Sequence, residues 1–218
     1  RGRPAVEQVW THVNGSRNVV LEKRTGEGFY GAEKFRFMAT ERIVLRKGEV
    51  VYGELVGYTD TSQPIMATQS TADLKDKSIT KRYGERMLYA YGCQPGEFRA
   101  YVYRIVQYGP DGNAVELSWN QVVARCRELG LNVVPHVGTI IYYGTPEVLL
   151  PVIDAMVNGD GKEPVASSLD ATHIEEGVVI RWESEHGTGW LKEKQTLFGI
   201  LEGYLKESDD FVDAEEIA

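Results

Sequence analysis

The sequence predicts an α+β fold in which antiparallel and mixed sheets carry the polar groups and helices are inserted between the strands. Three observations lead there. Strand-type patterns recur at separated places, most clearly at 18–22, 49–58 and 98–107. Helical patterns with recognisable ends fall between later strands, at 118–129 and 146–157. Charged groups interrupt otherwise apolar strands, as Gly53-Glu54 does between Val51 and Val56 and as Lys192-Glu193-Lys194 does after Trp190-Leu191. A chain of 218 residues holds one sizeable core. We place it at 1–206, with the dense acidic block that begins at Glu207 forming a tail over 207–218.

Taken in order, Gly15-Ser16-Arg17-Asn18 leads into the apolar strand Val19-Val20-Leu21. Segment 29–46 mixes Phe29, Phe35, Phe37 and Ile43 with Lys34, Arg36, Glu41 and Arg42, which suits an amphipathic helix. The run from Glu97 to Ile105 alternates as a half-buried strand with aromatics on one face, and Asp111-Gly112 marks a turn between two strands. Ser118 with Gln121 three residues on gives a capping box for helix 118–129, and Gly130 stops it. Asn132 to Val134 is a short strand entering Pro135. Thr145 caps a second helix, Pro146 to Val157, which Asn158-Gly159 ends, and 159–171 is loop. The strand opened by Glu175-Glu176-Gly177, the lysine strand and a last helix over 195–206 complete the series.

Net charge is −8, which argues against general affinity for nucleic acid through overall positive charge and leaves room for a local basic groove. No apolar run approaches the roughly 20 residues needed to span a bilayer, and no secretory core is present, so we expect a cytoplasmic protein with no membrane partner. Cys93 and Cys126 lack zinc spacing and fit buried, reduced thiols. The four histidines have no i, i+4 pairing, and the four tryptophans suit packing in the core or on strand faces.

Chemistry concentrates near the C-terminus. Side chains alternate along a strand, so Lys192 and Lys194 share one face and Leu191 and Glu193 the other. Two adjacent ammonium groups repel unless an anion lies between them, and a polyphosphate rewards such a pair. A charged edge that guards against aggregation would carry the same residues. The preceding strand adds the carboxylate of Glu176, where a phosphate and its metal could meet. Glu54, in a β-rich apolar segment, needs a ligand, a metal or a cation as partner.

These blocks, in this order from about Ser16 to about Lys194, resemble the ATP-dependent RNA ligase branch of the covalent nucleotidyltransferases, which also include DNA ligases and mRNA capping enzymes. The resemblance implies an ATP-grasp-like adenylation domain and names roles. Arg17 in Ser-Arg-Asn looks like the arginine that follows the nucleophile strand. Glu54 in Tyr-Gly-Glu-Leu-Val-Gly matches the glutamate used around ribose and metal. Tyr101 or Tyr103 falls where an aromatic stacks on adenine. Glu176 matches the metal-associated glutamate, and Lys192 and Lys194 the pair that holds the α-phosphate. The implied cofactors are ATP and magnesium, and the implied partner is RNA ends, with a nicked duplex as one form.

One part is absent from these residues: the family's nucleophile, a lysine in K-x-(D/N/H)-G. The nearest string is His12-Val13-Asn14-Gly15. It could be a degenerate nucleophile motif followed by Lys23-Arg24-Thr25-Gly26. We favour a nucleophile lysine upstream of Arg1, with the chain starting inside an insertion before the Ser-Arg-Asn strand. The implied reaction is attack of a lysine amine on the α-phosphorus of ATP, passage of AMP to a 5′-phosphate, and its displacement by a 3′-hydroxyl. Two alternatives stand beside it: a catalytically inactive nucleotide-binding module, and the core of a DNA ligase or capping-type enzyme.

Overall fold

The computed structural model describes residues 11–16, 20–21, 34–40, 42–142, 144–161, 163–185 and 187–206. Along them run β1 (Asn14–Gly15), β2 (Val20–Leu21), α1 (Lys34–Thr40), β3 (Glu49–Gly57), β4 (Gln69–Ser70), α2 (Lys77–Tyr83), β5 (Arg86–Met87) and β6 (Phe98–Tyr108). They continue with β7 (Ala114–Glu116), α3 (Trp119–Leu129), β8 (Asn132–Val133), α4 (Pro146–Asn158), β9 (Gly177–Ser184), β10 (Gly187–Lys194) and α5 (Thr196–Leu201). The fold is mixed α+β with largely antiparallel sheets, as the sequence predicts. The chain divides into two compact units, Arg1–Leu55 with Phe98–Val134, and Val56–Glu97 with Pro135–Ala218.

In the first unit, β6 lies between β3 and β7 and also pairs with β8. The β6–β7 hairpin is antiparallel with Val106 opposite Glu116, and the Asp111-Gly112 turn closes it through Gly109 N donating to Asn113 O at 2.8 Å. β8 adds in parallel, with Tyr101 opposite Asn132. α3 forms where the sequence marks it: Ser118 Oγ accepts from Gln121 N, Gln121 returns to the Ser118 backbone, and Gly130 ends the helix in the left-handed region. This helix packs Val122 and Cys126 on Val102 and Ile105, with Val51, Trp119 and Val133 around them. Cys126 is therefore a buried apolar group, and burial pushes its thiol up.

Beside that cluster, Arg125 on α3 grips Glu49 at the start of β3 through both carboxylate oxygens, at 2.7 and 2.8 Å. The Glu49 side chain is 2% exposed. Burial alone would raise its pKa; the hydrogen bonds from Arg125 and from the Arg46 backbone, with the charge of Arg125, outweigh burial and hold it below the ordinary range. A depressed folded pKa means stability that is present above the unfolded value, about 4.5, and lost as pH falls through the folded one. Thermal unfolding between pH 6 and 3 should therefore lose midpoint more steeply in the native protein than in Glu49→Gln. Parallel profiles would remove Glu49 from the acid response.

The second unit centres on an aromatic-rich core in which Met87, Tyr89, Ile174 and Phe198 are almost wholly buried, joined by Leu74, Ile79, Tyr83 and Tyr91. α2, which the sequence pattern did not flag, is capped by Asp76, whose side chain accepts from Ser78 N at 2.9 Å. α4 starts at Pro146, and Thr145 precedes it without a side-chain cap bond. It packs on β9 and β10. Cys93, like Cys126, is buried outside any disulfide.

Three expectations change. The helix expected over 29–46 is confined, among the described residues, to Lys34–Thr40, because Ile43 N closes a turn onto Thr40 O and a further turn follows at Lys47-Gly48. The last helix stops at Leu201 instead of Lys206: Gly203 enters the left-handed region and Leu205 N turns back to Gly199 O. The strand begun at Glu175 starts at Gly177. The strand expected over 18–22 appears as Val20–Leu21, with its other residues outside the described set, as is the 207–218 tail.

Candidate functional site

The lysine strand and the Glu-Gly strand are the two arms of one antiparallel hairpin. Lys194 stands opposite Gly177 and Lys192 opposite Val179, so the two lysines share a face as alternation requires. One step beyond the ladder, Gln195 N donates to Glu176 O at 2.9 Å. The glycine has a steric cause. Gly177 sits at φ +150°, and a Cβ there would lie 2.1 Å from Glu193 O and 2.6 Å from Lys194 Cα. Only a residue without a side chain lets Glu176 and Lys194 end up beside each other in this way.

The two lysines differ in their surroundings. Lys192 is exposed and makes no ion pair among the described residues. Lys194 Nζ donates to Glu202 Oε2 at 2.9 Å and lies over the rings of Tyr204, 4.7 Å from its centroid, and Phe198, 5.4 Å away. Burial weighs against its ammonium, but the Glu202 hydrogen bond, with Tyr204, outweighs it and raises the pKa. α5 thus supplies an internal anion to the lysine.

Glu176 also has an internal partner. Its Oε1 accepts from Tyr91 Oη, which lies at 3.4 Å from Met66 Sδ. Burial first, and then the Glu176 carboxylate, push the Tyr91 phenol well above its ordinary range, so it remains a neutral donor. The Tyr91 ring meets His173 edge-on at 4.7 Å, and Tyr89 lies 4.9 Å from the same imidazole. His173 is fully buried and uses Nδ1 to donate to Ile174 O at 2.8 Å. Glu176 and Glu202 both act on the Tyr89 hydroxyl, whose pKa burial raises first and these carboxylates raise further.

The remaining site residues belong to the first unit. Glu49 and Val51 of β3 turn toward α3, so Tyr52 and Glu54 take the opposite face. Glu54 is exposed on that face, beside Tyr52. Gly53 beside it allows close approach, since a Cβ there would lie 2.7 Å from Tyr101 O. Tyr101 and Tyr103 are half-buried on β6. Val102 faces α3, so its neighbour Tyr101 takes the face that carries Glu54. Arg104 stacks 5.0 Å from the Tyr52 ring and binds Glu116 at 2.8 Å. Arg17 lies outside the described residues. The structure thus groups Glu176, Lys192 and Lys194 in one unit and Glu54, Tyr101 and Tyr103 in the other.

Sequence reasoning missed Tyr91, Tyr89 and Glu202. The first two had a signal, an alternating Tyr89-Ala90-Tyr91 run ended by Gly92; Glu202 had none, because its role depends on where α5 stops. Among the described residues no helix is long and apolar enough to cross a membrane.

No curated protein and no solved structure matches the chain. The family model described as RNA ligase matches residues 13–194, which contain β1 through β10 and every site residue expected from the sequence. The match opens inside the string His12-Val13-Asn14-Gly15, whose last two residues form β1 and pair with Val20–Leu21. It covers well over half of the 218 residues, and the chain belongs to the RNA ligase family.

Proposed function

We propose that this chain carries out ATP-dependent RNA ligation through an ATP-grasp-like adenylation domain, with ATP, magnesium and RNA ends as its ligands. The observation that carries the reading is the end of the β9–β10 hairpin, where Glu176 and Lys194 flank a glycine that leaves no room for a Cβ. A carboxylate and a lysine pair at one strand end suit a phosphate that gains negative charge during transfer.

Lys192 and Lys194 hold the α-phosphate and offset the charge on its oxygens, with Arg17 assisting. Glu54 takes the ribose, and Tyr101 or Tyr103 stacks on adenine. Among the described residues no group of three or more His, Cys, Asp and Glu could hold a metal. Magnesium needs no such group, since it is bound through one or two carboxylates plus substrate phosphates and keeps several waters. Glu176 is the carboxylate for it; when bound, the ion would supply positive charge to the phosphate oxygens.

A nucleophile lysine upstream of Arg1 remains our first reading. A second one is favoured by the start of the family match at Val13 and by the β1–β2 hairpin that follows directly. In it, His12 stands in the lysine's place and the chain seals ends that already carry AMP.

Both readings share the sealing step, so its test uses 5′-adenylated RNA and a nicked duplex. Titrating magnesium, Glu176→Gln keeps the shape and loses the charge; its half-saturating magnesium should rise about tenfold, with a lower rate. Glu54→Gln retains one acceptor and should lose less. Wild-type magnesium dependence in Glu176→Gln would remove the metal role.

A further inference from the structure

Tyr91 occupies a position that its own backbone disfavours. It sits at φ +52°, a left-handed conformation that residues with side chains rarely adopt and that concentrates where a site holds a group in place. The surroundings enforce it. Asp170 Oδ2 accepts from Gly92 N at 2.9 Å, while Asp170 Oδ1 binds Thr172 N and Oγ1 at 3.0 and 2.7 Å. The same loop delivers the His173 ring against the Tyr91 ring. Buried to 8% exposure and clamped on two sides, Tyr91 places its hydroxyl on Glu176 Oε1. Glu176 is fixed through its main chain as well, its carbonyl accepting from Gln195 N. The carboxylate is thus held at one oxygen, with Oε2 left to face a ligand.

We propose that Tyr91 is a positioning residue, which orients the Glu176 carboxylate for a divalent cation. This rests on the reading of Glu176 as the metal-binding carboxylate. Hydrogen bonds from outside the coordination sphere fix how a ligating carboxylate points, and their loss commonly weakens metal binding 10–100-fold.

The test is manganese(II) binding to the whole chain in the presence of ATP, read by electron paramagnetic resonance. Tyr91→Phe removes one oxygen and keeps the ring; it should raise the dissociation constant about tenfold, and thermal unfolding reports whether the fold is kept. Glu176→Asp keeps the charge but withdraws the carboxylate from the hydroxyl, and should lose a similar factor even if Tyr91→Phe does not fold. In a Glu176→Gln background, Tyr91→Phe should add no further loss, since the two act as one unit. Wild-type affinity in folded Tyr91→Phe or in Glu176→Asp overturns the positioning role and leaves the metal reading intact. Wild-type affinity in Glu176→Gln overturns both.

Discussion

Lys194→Ala should slow the sealing of 5′-adenylated RNA at least a hundredfold while the protein stays folded. Removing one fixed cation from a phosphate that gains charge costs about 3 kcal/mol of transition-state stabilisation, and that corresponds to roughly two powers of ten in rate. The structural loss is smaller. The lysine side chain is 44% exposed and its partner Glu202 31%, so their pairing contributes on the order of 1 kcal/mol or less after solvent screening. The contrast between a large kinetic and a small thermal effect marks a group that acts on substrate. Sealing at the normal rate in this variant would take Lys194 out of the site, and the pairing with Glu202 would then be its whole role.

Gly177→Ala should do the opposite and damage fold and activity together. The added methyl meets the Glu193 carbonyl and the Lys194 backbone, and the backbone must also leave a conformation that alanine disfavours. Neither obstacle is the end of a flexible side chain, so the hairpin end has to open. A loss of roughly 3 kcal/mol is expected, which for a chain of this size lowers the unfolding midpoint by about 6–12 °C. Because the displaced strand carries both lysines, sealing should fall even at temperatures where the variant is folded. A midpoint within two degrees of the parent, with normal sealing, would show that β10 accommodates the methyl and that the motif's glycine has some other origin.

Much of this was legible in the residues because the signals were local. The capping box of α3 needs only Ser118, Gln121 and Gly130, and the shared face of Lys192 and Lys194 follows from a two-residue period. Helix ends were less legible. α1 and α5 are shorter than their amphipathic patterns, since turns at Ile43 and Gly203 stop them and propensity over a window does not see a single turn. Glu54 was read as an acid in need of a partner, but the sequence does not show which face of β3 it takes; only the ion pair of Glu49 with Arg125 tells that β3 turns its other face to α3. Which groups pair with Glu176 and Lys194 was out of reach. Tyr91 lies 85 residues from Glu176 in sequence, and Glu202 comes to Lys194 through the path of a short helix.

The pairing of Lys194 with Glu202 also sets the kind of event that ligand arrival must be. The lysine is not a bare cation waiting for phosphate, since a carboxylate already occupies it. If Lys194 holds the α-phosphate as proposed, an incoming phosphate oxygen would exchange places with Glu202 as one anion replaces another, and the net charge around the ammonium would change little. Selection would then fall on what a phosphate offers beyond charge, its several oxygens and its reach to Lys192, so that a simple carboxylate or chloride in solution would gain nothing over the one the chain already provides.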